Sequence, residues 1–359
     1  MQGQRNDSER MLGGLAAGIG IALLARECMR RRTVTDLRGQ VVLITGGSRG
    51  LGLALAEAFV AEGALPVICA RNAEQLEDAR QRLLRQGAAD VLAVPCDVRD
   101  CVQVERLVAA TLRHFGRLDI VVNNAGTIMV GPLEAQTLDD FEDTMATMFW
   151  GTVYPALAAL PQMRRQGSGR IVNITSIGGK VSVPHLMSYS AAKFAAVGFS
   201  EGLRAEVAKD GIDVLTVVPG LMRTGSHVNA IFKGRHEQEY TWFGLGASMP
   251  LLTIEAGQAA REIIAAIKRG DAEVTLGLPA QLLSAFHGLF PGITSDIMAL
   301  VNRLLPAPGG DGTERHLGRD STTAVTESFL TTLGQRAAEK YQPDEPGDRV
   351  LRESPRPMP

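Results

Sequence analysis

The sequence predicts a doubly wound α/β fold, in which one mostly parallel sheet carries helices on both faces. Three observations predict it. Seven short, nearly continuously apolar runs recur between residues 41 and 276, longer helix-like segments separate them, and the first run passes directly into a glycine-rich turn. Strands buried on both faces read as unbroken apolar runs, and regular alternation of such runs with helices favours parallel pairing through helical crossovers.

The strand-like runs are 41–45 (VVLIT), 67–70 (VICA), 91–94 (VLAV), 119–123 (DIVVN), 170–175 (RIVNIT), 213–218 (DVLTVV) and 273–276 (EVTL). Helix-like segments fall at 51–62, 73–86, 101–115 and 189–209. Seven strands within residues 36–305 make a single domain, without an internal repeat. Of the 359 residues, 37 are basic and 39 acidic, so a net charge of −2 argues against a nucleic-acid partner. Hydrophobic residues at 45% exclude wholesale disorder. Cys28, Cys69, Cys96 and Cys101 form no CxxC pair and read as structural cysteines of a reducing compartment.

Both ends of the chain differ from this middle. Residues 1–35 contain an uncharged apolar stretch, 11–25, followed by Arg26, Arg30, Arg31 and Arg32. As a helix, 11–25 spans roughly 22 Å against a hydrocarbon core of ~30 Å. Three readings are open: a single anchor that leaves the rest of the chain on the cytoplasmic side, a helix docked on a membrane or protein surface, and an unstructured leader. A cleaved secretory signal is disfavoured because most of the positive charge follows the apolar run. Residues 306–359 are proline-rich (PAPGGDG, PDEPGDR, SPRPMP) and read as a polar tail that does not pack, with one short helix over 324–340.

After the first strand comes TGxxxGxG, Thr45 to Gly52. Gly46 suits a tight turn, Gly50 lets backbone approach a pyrophosphate, and Gly52 lets the helix pack on the strand; Ser48, Arg49 and Leu51 complete the cradle. The GK[ST] ending of a nucleoside-triphosphate loop is missing. Where NAD-binding chains place a carboxylate at the end of the second strand, this sequence has Ala70 and then Arg71. Arg49 and Arg71 could converge on the 2′-phosphate of NADP(H), which is the expected cofactor; the competing reading is two solvated surface arginines.

Of the four tyrosines only Tyr189 has a lysine four residues on, Lys193, within a helical pattern. That spacing puts phenol and ammonium on one helix face, where a cation lowers a phenol's pKa toward working pH. Ser176 follows the strand RIVNIT, at the sheet edge where ligands bind, and could hydrogen-bond a substrate oxygen.

These residues, taken together, resemble the short-chain dehydrogenase/reductase family over about 265 of the 359 residues. The motifs come in order: TGxxxGxG, the acidic Asp97 beside Val98, NNAG at 123–126, Ser176, YxxxK at Tyr189 and Lys193, and PGxxxT from Pro219 and Gly220 to Thr224. The resemblance implies a Rossmann-type domain and a proton exchanged by Tyr189. It implies that Lys193 binds the nicotinamide ribose and that Ser176 orients the substrate oxygen. It further implies that Asp97 contacts the adenine, that Asn124, Ala125 and Gly126 line the cofactor, and that Thr224 holds the carboxamide. One position departs: Met148 stands where the family usually has an asparagine whose backbone carbonyl holds a relay water. Methionine keeps the carbonyl, so slowed proton exchange is expected rather than lost chemistry.

Residues 221–252, with Trp242, Phe243 and Met249, occupy the place of the family's variable substrate loop; an apolar pocket and a lid packed on its own core are equally open readings. Residues 278–305 predict two apolar helices broken at Pro291. With a membrane anchor they would suit a lipophilic substrate. His227, His236 and His287 show no metal-ligand spacing and no metal is expected. The expected activity is NADP(H)-dependent interconversion of a carbonyl and an alcohol, in a chain that could form homo-oligomers as family members do. Two alternatives remain: a non-catalytic NADP(H)-binding membrane-associated scaffold or redox sensor, and an epimerase or dehydratase on the same fold.

Overall fold

The computed structural model describes residues 35–249, 253–323 and 332–342. The first strand, β1 (Val41–Thr45), shows why its run is apolar throughout: every residue in it is buried, with Val42 and Ile44 facing one core cluster and Val41 and Leu43 the other. Alternating side chains serve two helical layers at once.

From β1 the chain runs through α1 (Gly50–Ala61), β2 (Leu65–Ala70), α2 (Ala73–Arg85), β3 (Leu92–Pro95), α3 (Cys101–Phe115), β4 (Ile120–Asn123), the two-residue β5 (Met129–Val130) and α4 (Leu138–Met145). A π turn, Ala146–Trp150, joins α4 to α5 (Gly151–Gln166). Then come β6 (Gly169–Ile174), α6 (Met187–Val207), β7 (Ile212–Pro219), β8 (Leu221–Arg223), β9 (Ile231–Phe232), α7 (His236–Ser248), β10 (Thr253–Glu255), α8 (Ala256–Arg269) and β11 (Glu273–Leu276). The chain continues with α9 (Leu278–Leu289), α10 (Pro291–Asn302), β12 (His316–Leu317) and α11 (Thr332–Tyr341). Local chemistry sets the helix ends: Asn72 and Asp100 cap α2 and α3 by accepting from first-turn amides, and Gly116 and Gly270 end α3 and α8 in the left-handed conformation.

Seven strands form the main sheet in the order β11-β7-β6-β4-β1-β2-β3, and each neighbouring pair is parallel. Side chains of α1, α2 and α8 fill the core on one face, among them Leu55, Leu83 and Ile263, while α3, α5 and α6 supply Leu107, Ala159 and Val207 to the other. This is the expected doubly wound arrangement. Two small sheets, β8–β10 and β5–β9–β12, lie outside it. The expected break between the apolar helices falls at Pro291, where proline opens α10.

The carboxyl-terminal region differs from the expectation of a tail that does not pack. β12 pairs antiparallel with β9, and the guanidinium of Arg315 reaches Asp140 at 2.7 Å and Asp143 at 2.7 Å. Asp140 is fully buried and also binds the buried ammonium of Lys233. Burial alone would raise the Asp140 carboxyl, and its bonds from Lys233, the Thr137 N–H and Arg315 outweigh that, holding it below its ordinary value. A charge pair and a two-residue strand hold this segment, and neither leaves a periodic signal in sequence. Residues 11–25 lie outside the described residues, and among the described ones no helix is long and apolar enough to cross a membrane.

Candidate active site

Strand order reverses between β1 and β4, one branch leading to β2 and β3 and the other to β6, β7 and β11. In open parallel sheets the ligand crevice lies beyond the carboxyl ends of such a pair. Here the glycine-rich turn forms its floor. Gly46 and Gly50 adopt φ of +64° and +57°, conformations that disfavour other residues. A Cβ on Gly52 would stand 2.1 Å from the Gly46 carbonyl, and one on Gly47 2.8 Å from the Ile68 side chain. The turn therefore closes on itself and on β2 with no room for a side chain at Gly47 or Gly52. Helix α1 starts there with no side-chain cap and no acid in its first turn, which leaves its positive end to an anion. Ser48 and Leu51 are buried beside it, Arg49 is half-buried, and Arg71 is exposed just past the end of β2. A glycine-rich cradle at an uncapped helix end fits a dinucleotide's pyrophosphate.

The opposite wall is pinned by a residue that the sequence reading left out of the site. The Thr45 hydroxyl oxygen accepts from the backbone N–H groups of Asn124 and Ala125 at 2.9 and 3.0 Å. The Asn124 side chain donates to the Thr45 carbonyl at 2.9 Å. Thr45 was legible as the T of TGxxxGxG, but its service to NNAG needs the β1–β4 pairing. Gly126 faces Met148, whose methyl would lie 3.3 Å from a Cβ there. Beyond β3, Asp97 accepts from Arg99 at 2.7 Å; burial raises its pKa and these bonds lower it below the ordinary value. Val98 is buried and packs against Gly151.

Ser176, Tyr189 and Lys193 come together at the carboxyl end of β6. The Ser176 hydroxyl accepts from the Gly178 N–H at 3.0 Å, and a Cβ on Gly178 would lie 3.0 Å from the Tyr189 ring and 3.5 Å from that hydroxyl. Lys193 is buried one helical turn beyond Tyr189, and its ammonium donates to the Ile174 carbonyl at 2.9 Å. Burial lowers the lysine pKa to about 8. Burial raises the Tyr189 phenol above its ordinary value while the Ser176 hydroxyl pulls it back. The lowering expected from the lysine is thus not expressed in this arrangement, where the ammonium is engaged by a strand carbonyl.

Met148 sits buried in the π turn, and its carbonyl accepts from the Thr152 hydroxyl at 2.8 Å. This is the i−4 back-bond that threonine makes within a helix.

On the far side, Pro219 ends β7, Gly220 donates to the Leu276 carbonyl at 3.1 Å, and buried Thr224 donates through its hydroxyl to Ser226 at 2.9 Å. Gln342, just past α11, spans the crevice. Its side-chain amide donates to the Thr224 carbonyl at 2.9 Å and lies 3.6 Å from a Cβ built on Gly50, while Asn229 donates to its oxygen at 3.0 Å. Nothing in the sequence pattern signalled this contact.

Next to the triad, residues 181–185, Met187, Phe194 and helix α10 line a partly open cavity of about 720 Å³, with Val181, Val183, Met187 and Met298 in its wall. Ser176 and Tyr189 are not part of its lining; the flanking segment connects the two. At the start of α6, His185 has φ of +63° and its Nδ1 meets the buried Glu239 carboxylate at 2.8 Å, tying this segment to α7.

Comparison with known proteins places the fold in a family. The family model described as short chain dehydrogenase matches residues 40–232. The chain is similar to "Dehydrogenase/reductase SDR family member 7B" of Bos taurus, at 32% identity over 298 residues, 81% of this chain and 90% of that one. It is also similar to "11-beta-hydroxysteroid dehydrogenase A" of Sesamum indicum, at 35% identity over 246 residues, 67% of this chain and 69% of that one. For another relative the aligned share falls to 65% of the relative's length. Among solved structures, a short-chain dehydrogenase from Streptomyces avermitilis superposes with a TM-score of 0.64 and 32% identity, covering 75% of this chain and 99% of that one. With fold, motif order and relatives in agreement, the chain belongs to the short-chain dehydrogenase/reductase family of nicotinamide-dependent oxidoreductases.

Proposed function

We propose that this protein is an NADP(H)-dependent oxidoreductase that interconverts a carbonyl and an alcohol on a lipophilic small molecule. The observation that carries the reading is the convergence of Ser176, Tyr189 and Lys193 at the sheet edge that also holds the glycine turn. Gly46, Ser48, Gly50, Leu51 and Gly52 would hold the pyrophosphate, Asp97 and Val98 the adenine, and Asn124, Ala125 and Gly126 the adjoining ribose. Pro219, Gly220 and Thr224 would flank the nicotinamide. Ala70 offers no carboxylate to a ribose 2′-hydroxyl, and Arg49 in the glycine turn and Arg71 after β2 would be the cations to meet a 2′-phosphate. When bound, the cofactor supplies or takes up the hydride.

The chain's own residues handle the proton. Ser176 fixes the substrate oxygen by a hydrogen bond, and Tyr189 gives its phenolic proton to that oxygen in reduction or accepts one in oxidation. Lys193, charged below about pH 8, stabilises the phenolate that remains. Met148 keeps the backbone carbonyl of the relay position but lacks the amide side chain usual there, so reprotonation of Tyr189 would be slower.

The apolar cavity beside the triad supports a lipophilic substrate, as does the exposed apolar surface of α9 and α10, including Leu282, Leu289, Ile293 and Leu300. The sesame relative, a hydroxysteroid dehydrogenase by name, points to the same class. Residues 11–25 would place the chain on the cytoplasmic side of a membrane, where such substrates partition. A panel of apolar and polar carbonyl compounds, run with NADPH and with NADH, tests the reading through loss of nicotinamide absorbance. The expected result is turnover of apolar ketones, with kcat/KM roughly ten- to a hundredfold lower for NADH, the worth of one or two charge-assisted hydrogen bonds. Cofactor binding without turnover of any compound would favour the non-catalytic scaffold.

A further inference from the structure

Far from the glycine turn in sequence, three side chains gather that the proposed chemistry does not use. His236 opens α7, Asp311 lies in the loop before β12, and His316 begins β12. The His236 Nε2 is 3.3 Å and the His316 Nε2 3.1 Å from the same oxygen, Oδ2 of Asp311. The three ligand atoms lie within 4.8 Å of one another, and the two rings stack with centroids 4.0 Å apart. We propose that His236, Asp311 and His316 form a binding site for a zinc ion that clips the carboxyl-terminal segment to α7.

Spacing supports this first. Zinc held at about 2.0–2.1 Å by tetrahedral ligands requires them to stand about 3.3 Å apart, close to the two carboxylate–imidazole separations present here. The orientation of His236 is the second support. Its Nδ1 is hydrogen-bonded to the Ser321 hydroxyl at 2.9 Å, the outer partner that leaves Nε2 for a metal. Third, the buried Nε2 of His316 has no hydrogen-bond partner: the carboxylate oxygen is near but not aligned to accept. A metal ion satisfies a nitrogen that the protein leaves unpaired. Glu314, whose carboxylate stands 3.9 Å from His316 Nε2, can supply a fourth ligand, or water can.

Two imidazoles and a carboxylate suit a borderline cation, and magnesium and calcium, which demand oxygen ligands, do not fit. The rings are inclined by only 14°, so binding splays them to aim both lone pairs at one point. No short motif marks the site because its ligands come from separate segments. Its effect is mechanical: it fixes the segment carrying Arg315 against the body, beside the buried Asp140–Lys233 pair.

The test uses the full-length protein, freed of any affinity tag and stripped with chelator, then titrated with Zn²⁺, Mg²⁺ and Co²⁺. Metal content and Tm are followed for wild type, His316→Ala, Asp311→Asn and the surface control His114→Ala. One Zn²⁺ per chain and a Tm rise of about 5 °C at a hundredfold excess over Kd are expected for wild type and the control, with no rise for either site variant or for Mg²⁺. Co²⁺ should show the visible absorption of a tetrahedral centre, absent in both site variants, a signature that a merely destabilised variant would not explain. Equal uptake by all four proteins means adventitious binding and overturns the proposal, as does wild type retaining no zinc.

Discussion

At the scale of single residues, proton chemistry at this site is decided by burial. Lys193 has a folded pKa of about 8 against an ordinary 10.5. Between those values the unfolded chain binds more protons than the folded one, so this lysine's contribution to stability improves as pH rises through the window and is least favourable below 8. Under the proposed mechanism activity runs the other way, since the phenolate would need a charged lysine. The pH profile of kcat/KM for reduction should fall on its alkaline side with a midpoint near 8. Lys193→Arg, which stays charged, should lower the plateau and move that limb to about pH 10 or above, where tyrosine itself ionises. A limb unmoved by this substitution would assign the titration elsewhere. Ser176→Ala should lower kcat roughly ten- to a hundredfold through one lost hydrogen bond to the reacting oxygen. A steady-state comparison at pH 7 measures it.

At the scale of elements, glycines separate binding from stability. Gly52→Ala places a methyl against the Gly46 carbonyl, so the turn must open; NADPH affinity should fall more than about tenfold, read by nicotinamide fluorescence titration. Gly202→Ala, at an exposed position of α6 with nothing within 4 Å, should instead stabilise the protein by about 0.5–1 kcal/mol and leave cofactor affinity unchanged. The carboxyl-terminal helix makes a parallel prediction. Gln342 joins the Thr224 wall to the glycine turn, and Ala338 lies so close to Gly225 that a Cβ there would come within 2.3 Å of its Cα. Ending the chain at residue 331 should raise KM for NADPH about tenfold with a smaller effect on KM for the carbonyl compound. Equal KM values for the two chains would show that the helix does not shape the cofactor crevice.

At the scale of the whole molecule, the sheet was readable because each strand is buried on both faces and keeps an apolar run. All seven predicted runs correspond to strands of the main sheet, and β2 begins two residues earlier than its run suggested because Pro66, buried in the pairing, does not read as strand. Glycines, the YxxxK spacing and Ser176 were readable because turn geometry and helix periodicity are local. What stayed hidden depends on distant pairs: Thr45 with Asn124, Gln342 with Thr224, His236 with Asp311 and His316, and Arg315 with Asp140. The last of these holds the carboxyl-terminal segment to the body. Asp140→Ala would leave Lys233 buried without its partner and should cost about 3–5 kcal/mol in denaturant unfolding.

In the proposed mechanism Tyr189 carries the proton for hydride chemistry at this crevice. Tyr189→Phe keeps the ring and removes only the phenol, so one comparison tests the claim: NADPH affinity by fluorescence alongside turnover of the best ketone, for wild type and variant. Affinity should be essentially unchanged and turnover reduced by roughly 10²–10⁴-fold. Turnover within a few-fold of wild type, with affinity intact, would contradict it.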